Sequence, residues 1–515
     1  MKKRFLLRLY KLTIFGPLLF YFGDRSYLAY DEGFYALQAR WIIENNNWII
    51  PMWWDNYILD RTIGIQFIIA KSQTVFGENS FAAHLPTTFA AILMLFLTFK
   101  LHEELINKKG ALISTLILAT SYIWIDFAHL ATQDMIFACL VTIGIYSLTK
   151  IGNKINSKYN ILFGLWIGLG FMMKTFLVLV PLISFLPFLI QKKNIIYSRT
   201  FWFSLFIGFI PFLIWIFSIN MYLEDNILVF LLDKVNRLSS KNNFTNPIYY
   251  YLWNIPINFL PWSIFSIFGL IFNLRNKTKH KYIIVYLPII LITLISCFST
   301  KTPYYPLQIS SLLAINAYIG IREILKSKIM SMRLTLIAGK VIPISIMLVI
   351  SVYYFYYREF VGLNYKEELF IIIGLILFSL TWSTINFLNK PKHIIIALII
   401  GPYLLTTSTL RSGLLNDRSS EMRESMENVI KLENLNQKVI HVKSSDINDD
   451  ASHSKIIRIA LMTPKLGKGI DKIEELNKSQ LIWVKKFNDS NQENNSLEII
   501  YSDENLNPWQ LVKKK

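Results

Sequence analysis

The chain has 515 residues, of which 53% are hydrophobic, 15% aromatic and only 17% charged. A soluble protein carries about a quarter charged residues, so composition excludes an ordinary water-facing domain array and points to a polytopic membrane protein. The net charge of +19 is not a nucleic-acid footprint, because the lysines and arginines cluster in short loops between apolar runs, where they set orientation.

Apolar runs long enough to cross a bilayer, about 20 residues with a lower limit near 17, recur along the chain. They are predicted at roughly 5–23, 81–99, 111–128, 134–149, 159–173, 175–190, 201–219, 254–273, 282–298, 304–321, 336–356, 369–388 and 393–410. The opening Met1-Lys2-Lys3-Arg4 precedes an apolar run without a small-residue cleavage site, and is read as a first span rather than a removed signal. A shorter run, Thr62–Phe76, contains Lys71 and Gln73. If it crossed, basic clusters such as Lys108-Lys109, Lys192-Lys193 and Arg322 with Lys326 would face the side opposite Lys2 and Lys3. The positive-inside rule therefore makes it an interfacial helix on the outer surface. The expected fold is an all-α bundle of about 13 transmembrane helices with its N-terminus cytoplasmic.

Residues 1–410 form the predicted membrane domain, with a long outer loop at about 24–80, and residues 411–515 a small soluble α/β domain on the outer side. In the latter, Ser419–Leu435 reads as an amphipathic helix, and Val439–Val442, Ile456–Leu461, Leu481–Val484 and Leu497–Tyr501 as strands. Cys139 and Cys297 fall inside spans and define no disulfide framework.

The ionisable residues of the outer side are few. Asp31-Glu32 opens a predicted helix running to about Glu44, with Asp31, Tyr35 and Gln38 on one face. Phe34, Leu37 and Trp41 make an apolar stripe expected to face the membrane. Asp31 suits either a general base or a helix N-cap, and an acid before a helix is more often the cap. Asp60-Arg61 precedes the interfacial helix, where an arginine fork suits phosphate and equally suits a surface anchor. Lys174 stands at a tight turn between two spans and must find a partner or reach water. Lys301 and Tyr304 lie in a proline-bent outer loop, and Asp134 at the outer end of a span. His84 and His129 belong to no ligand-spaced cluster, and no glycine-rich phosphate loop is present. Trp53-Trp54 and Tyr249–Tyr251 read as interfacial belt residues.

Taken in order, these segments resemble the polyprenyl-phosphate-sugar glycosyltransferases of the GT-C fold, nearest the lipid A aminoarabinose transferase and protein O-mannosyltransferase group. The resemblance is carried by Asp31-Glu32-Gly33-Phe34-Tyr35-Ala36, Trp48-Ile49-Ile50-Pro51 and Phe76-Gly77-Glu78-Asn79-Ser80-Phe81 through Pro86. It continues in Leu130-Ala131-Thr132-Gln133-Asp134-Met135, Met173-Lys174-Thr175 and Lys301-Thr302-Pro303-Tyr304-Tyr305-Pro306-Leu307. The chain departs from the family in Arg61 where lysine and proline are usual, in His84 where arginine is usual, and in lacking a glycine after Lys174.

The resemblance implies inverting transfer of a monosaccharide from a polyprenyl-phosphate carrier to a lipid, glycan or protein acceptor at the outer face of a bacterial plasma membrane. It implies Asp31 as the base, and Arg61, Lys174, Lys301 and Tyr304 around the donor phosphate. Glu32, Tyr35, Asp60, Asp134 and His129 would support them. Some members of the group hold a divalent metal ion and others none, so a metal cofactor stays open, and no nucleic-acid partner is expected. A transporter of lipid-linked saccharide is the alternative; it would show mid-span polar residues and inverted repeats, and the polar groups here sit at span ends.

Overall fold

The computed structural model describes residues 16–27, 31–54, 56–59, 61–155, 157–223, 226–239, 245–276, 278–432, 435–447, 450–486 and 496–515. Most of the predicted first span lies outside them; its described end is a short 3-10 turn, Gly16–Leu19.

The predicted loop at about 24–80 carries two helices. Helix α1 (Asp31–Glu44) is followed by a two-residue hairpin of β1 (Met52–Trp53) and β2 (Asn56–Tyr57), then by α2 (Gly64–Phe76). At 13 residues, α2 is about 20 Å long and too short to cross a bilayer. It buries Ile65, Gln66, Ile69, Ala70 and Gln73 and leaves Val75 and Phe76 exposed, as an element lying on the bundle would. Its start is pressed against a membrane helix: a Cβ on Gly64 would collide with the carbonyl of Met172. Only glycine permits that approach.

The bundle begins with α3 (Ser80–Leu105), whose N-cap Asn79 accepts from Ala82 N. It continues through α4 (Ala111–Ala119), α5 (Tyr122–Ala128), α6 (Gln133–Asn153) and α7 (Tyr159–Lys174). Among the described residues, seven helices can cross a membrane by length and composition, or up to nine if each of two bent pairs is one span. The expected count of about 13 is higher because several predicted spans are realised as bent or short helices. Residues 111–128 break by 67° between α4 and α5, and the predicted span 254–273 falls on Tyr250–Asn258 and Ser263–Arg275, bent by 118°. Tyr282–Cys297 is a shorter apolar helix.

One of the seven, Tyr159–Ser184, is a hairpin. Thr175 takes φ 51° and ψ −134°, which reverses the chain. Val178 packs back onto Gly170, and the Phe185 ring lies 5.5 Å from Trp166. In a straight helix those two residues would stand about 28 Å apart. Lys174 thus sits at a turn, as its sequence context suggested.

The C-terminal region carries a five-stranded sheet in the order β4-β3-β5-β7-β6, formed by β3 (Ile440–Lys443), β4 (Leu466–Ile470), β5 (Leu481–Lys485), β6 (Leu497–Ser502) and β7 (Trp509–Lys514). β3 runs parallel to β4 and β5, while β7 is antiparallel to β5 and β6. The expected strand Ile456–Leu461 is instead part of a helix, Asp450–Met462. Ile456, Ile459 and Ala460 are fully buried, and their i, i+3, i+4 spacing is that of a helix face, which overrides the β-branched composition.

This region is not a separate appendage. Leu37, Trp41 and Trp54 share one apolar core with Met426, Ile456, Trp483 and Trp509. Leu37 and Trp41 of the stripe expected to face the membrane therefore face the C-terminal domain, while Phe34 packs against the core of the bundle. Arg40 completes the joint, donating to the carbonyls of Thr463 at 2.6 Å and Pro464 at 2.7 Å. An amphipathic pattern states that a face is buried, but not against what.

Candidate active site

Helix α1 presents successive residues to different neighbours. Asp31 is its first residue, and its side chain lies outside the described residues, as does all of Asp60. Glu32 is buried; its Oε1 accepts from Ala131 N at 2.7 Å and lies 2.6 Å from His84 Nε2. The other ring nitrogen of His84 faces Ser80 O at 2.7 Å. Glu32 thereby ties the start of α1 to α3 and to the loop that precedes α6. Nearly two turns on, Gln38 Oε1 accepts from Gln66 Nε2 at 2.7 Å, with both side chains buried, which joins α1 to α2.

Tyr35 is the hinge of the site. Its hydroxyl lies 2.8 Å from the Gln133 side chain. The Gln133 amide is best satisfied with Nε2 donating to Met173 O and Oε1 accepting from Tyr35 at 2.8 Å and from Lys174 Nζ at 3.3 Å. Lys174 in turn donates to Asp134 Oδ1 at 2.6 Å, both side chains being buried. The ammonium stands 4.8 Å from the centre of the Tyr304 ring. On the other side of Tyr35, the Arg61 guanidinium lies 4.7 Å from the Phe34 ring and 5.7 Å from the Tyr35 ring. Phe34 is stacked on Trp53 at 4.4 Å. Arg61, Tyr35, Gln133, Lys174, Asp134 and Tyr304 therefore form one continuous cluster from five separate parts of the chain.

Local sequence explains the placement. Asp134 lies in the first turn of α6, where the helix dipole favours a negative charge. Lys174 lies in the last turn of α7, where it favours a positive one. The Gly64–Met172 approach brings the chain that carries Arg61 to the end of α7. A buried lysine without its carboxylate would cost several kcal/mol, so the pair keeps a cation at a span end.

Two further predicted residues have partners outside this cluster. Lys301 Nζ donates to Asn246 O at 2.8 Å and Phe298 O at 2.6 Å, and Asn246 Nδ2 donates back to Lys301 O at 3.2 Å. These bonds close the loop that carries Tyr304. His129 donates from Nδ1 to Ile125 O at 2.8 Å. Burial, reinforced by the Arg25 charge, pushes its pKa down to about 3, so it is neutral and supplies no cation. Gln133 was visible beside Asp134 in the sequence, but only the fold shows it linking Tyr35 to Lys174. No group of three or more His, Cys, Asp or Glu side chains that could hold a metal occurs among the described residues.

Residues 60–216 match the family profile described as dolichyl-phosphate-mannose-protein mannosyltransferase. An undecaprenyl phosphate-alpha-4-amino-4-deoxy-L-arabinose arabinosyl transferase of Wigglesworthia glossinidia brevipalpis is 27% identical over 397 residues, covering 73% of this chain and 70% of that protein. The enzyme of the same name from Edwardsiella ictaluri is 27% identical over 45% of this chain and 44% of its own length, so that match spans less than half of the relative. In fold, the chain is similar to ArnT from Cupriavidus metallidurans bound to undecaprenyl phosphate, with a TM-score of 0.75 at 12% identity, covering 98% of this chain and 97% of that one. The apo form of that protein matches with a TM-score of 0.74.

Proposed function

We propose that this chain, a glycosyltransferase resembling the ArnT and protein O-mannosyltransferase group, moves a monosaccharide from a polyprenyl-phosphate carrier to a lipid, glycan or protein acceptor. The observation that carries the reading is the cation pair Arg61 and Lys174, held on either side of Tyr35 within one cluster. The leaving group of such a transfer is a lipid phosphate, whose growing charge needs fixed cations in a partly water-excluded site.

In this reading Arg61 offers its fork to the phosphate while Phe34 and Trp53 hold its plane. Lys174 supplies the second cation, aimed by Asp134 and Gln133. Tyr304 closes the same side, on a loop pinned by Lys301. Asp31, one residue before the buried Glu32, is the base that takes the acceptor proton as the sugar inverts. The reaction takes place at the outer face of a plasma membrane, with the N-terminus inside, about 13 crossings and the 411–515 region outside.

The test is transfer of label from radiolabelled polyprenyl-phosphate sugars to membrane material by the purified protein, wild type beside Asp31→Asn. Label moved by wild type alone supports the reading. No transfer from any donor, with lipid-linked sugar crossing a vesicle bilayer instead, overturns it in favour of a transporter.

A further inference from the structure

A second polar cavity, of about 180 Å³, lies where the membrane domain meets the C-terminal region, and it shares no lining residue with the Lys174–Asp134 cluster. Four arginines line it: Arg25 before α1, Arg40 on α1, Arg423 on the helix Ser420–Leu432 and Arg458 on the helix Asp450–Met462. Glu78 is the acid among its lining residues.

Three of these arginines have partners within the protein. Arg25 donates to Thr88 Oγ1 at 3.1 Å and to Leu18 O. Arg40 bonds Glu44 at 2.8 Å, pairs with Glu78 at 3.4 Å and donates to the two carbonyls already described. Arg423 pairs with Asp417 at 2.8 Å and Glu427 at 3.4 Å. Arg458 differs. Its Nε donates to Ser454 O at 3.3 Å, and no carboxylate pairs with it among the described residues. Burial alone acts on it, lowering its pKa. Arg25 adds a buried Nε without an acceptor. A guanidinium partly withdrawn from water and without a counter-charge is costly until an anion meets it.

We propose that this inter-domain pocket is an anion-binding site, taking a phosphate or carboxylate group on the Arg458 guanidinium within the field of Arg25, Arg40 and Arg423. The volume suits an oxyanion, since a single water needs only about 10–15 Å³. An arginine fork matches two oxygens of such a group. The site is also connected to the catalytic helix. Tyr27, which lines the pocket, stacks on His84 at 5.4 Å, and His84 faces Glu32 on α1. An occupant therefore clamps the C-terminal region onto the outer loop two side chains from Asp31. Anion binding does not depend on the transfer reaction and is measured without it.

The experiment is equilibrium binding of radiolabelled inorganic phosphate, and separately of radiolabelled phosphatidic acid in neutral-detergent micelles, to the purified full chain. Wild type, Arg458→Gln and Arg458→Lys are compared. Saturable binding by wild type, weakened about tenfold or more in Arg458→Gln as expected for loss of one charged hydrogen-bonding partner, supports the site. An intermediate loss in Arg458→Lys, which keeps the charge and loses the fork, supports it further. Preference for phosphatidic acid identifies a lipid headgroup as the source of the anion, and equal binding identifies a small free anion. No saturable binding of either probe by wild type, or equal binding by all three proteins, overturns it.

Discussion

Lys174 donates to Asp134 across 2.6 Å, joining the last turn of one membrane helix to the first turn of another. Neither charge would be stable in that position alone. Together they hold a cation beside Tyr304 and Gln133, which is the feature the proposed phosphate chemistry needs.

Stability and activity should separate at this pair. Asp134→Ala leaves a buried ammonium uncompensated and should lower stability by about 3–5 kcal/mol, read as a fall in the thermal unfolding midpoint in detergent. Replacing both, Asp134→Leu with Lys174→Met, should restore much of the midpoint while transfer stays at least about 100-fold down. Recovery of transfer in the double variant would show that the pair is structural only.

Arg61 should depend on shape as well as charge. Arg61→Lys retains the cation but cannot lie flat on Phe34 or offer two parallel bonds. The expected result is a rise in the KM for the lipid donor of about tenfold, close to that of one charged hydrogen bond. An unchanged donor KM in both Arg61→Lys and Arg61→Ala would remove Arg61 from the donor site.

Gly64 should be intolerant of even one methyl group. In Gly64→Ala the new Cβ meets the Met172 carbonyl, a backbone atom that cannot rotate away. The start of α2 must shift, taking Arg61 with it. Loss of transfer in a variant whose unfolding midpoint falls by only a few degrees is expected; unaltered activity would mean that the approach is not needed.

The Arg40 joint can be read without any substrate. Arg40→Ala removes the bonds to Thr463 O and Pro464 O, each worth about 1.5–3 kcal/mol when the donor is charged. Limited proteolysis should then cut faster between Gly413 and Ser419, where the chain passes from the last membrane helix to the C-terminal region. Equal cutting of wild type and variant would argue that the shared apolar core alone holds the domain.

Asp31→Asn should abolish transfer to a hydroxyl acceptor and leave expression and the unfolding midpoint unchanged, because the amide keeps the size of the side chain and one accepting oxygen. Full transfer by this variant to a hydroxyl acceptor would rule out Asp31 as the base.

The sequence by itself determined the membrane class, a short helix within Thr62–Phe76, the turn at Lys174 and most of the polar residues that gather at the site. Those are readable because apolar run length, loop charge and turn position are local properties of the chain. Tertiary structure alone decided what each buried face meets. Leu37 and Trp41 are apolar at helical spacing whether they face lipid or protein, and only the fold sets them in the core of the C-terminal region. Lys301 and Lys174 are both lysines next to apolar helices, yet one closes a loop through carbonyls and the other meets Asp134 and Gln133. A side chain's type fixes what it can bond. Which partner it bonds depends on contacts between segments far apart in the sequence, and local pattern carries no record of them.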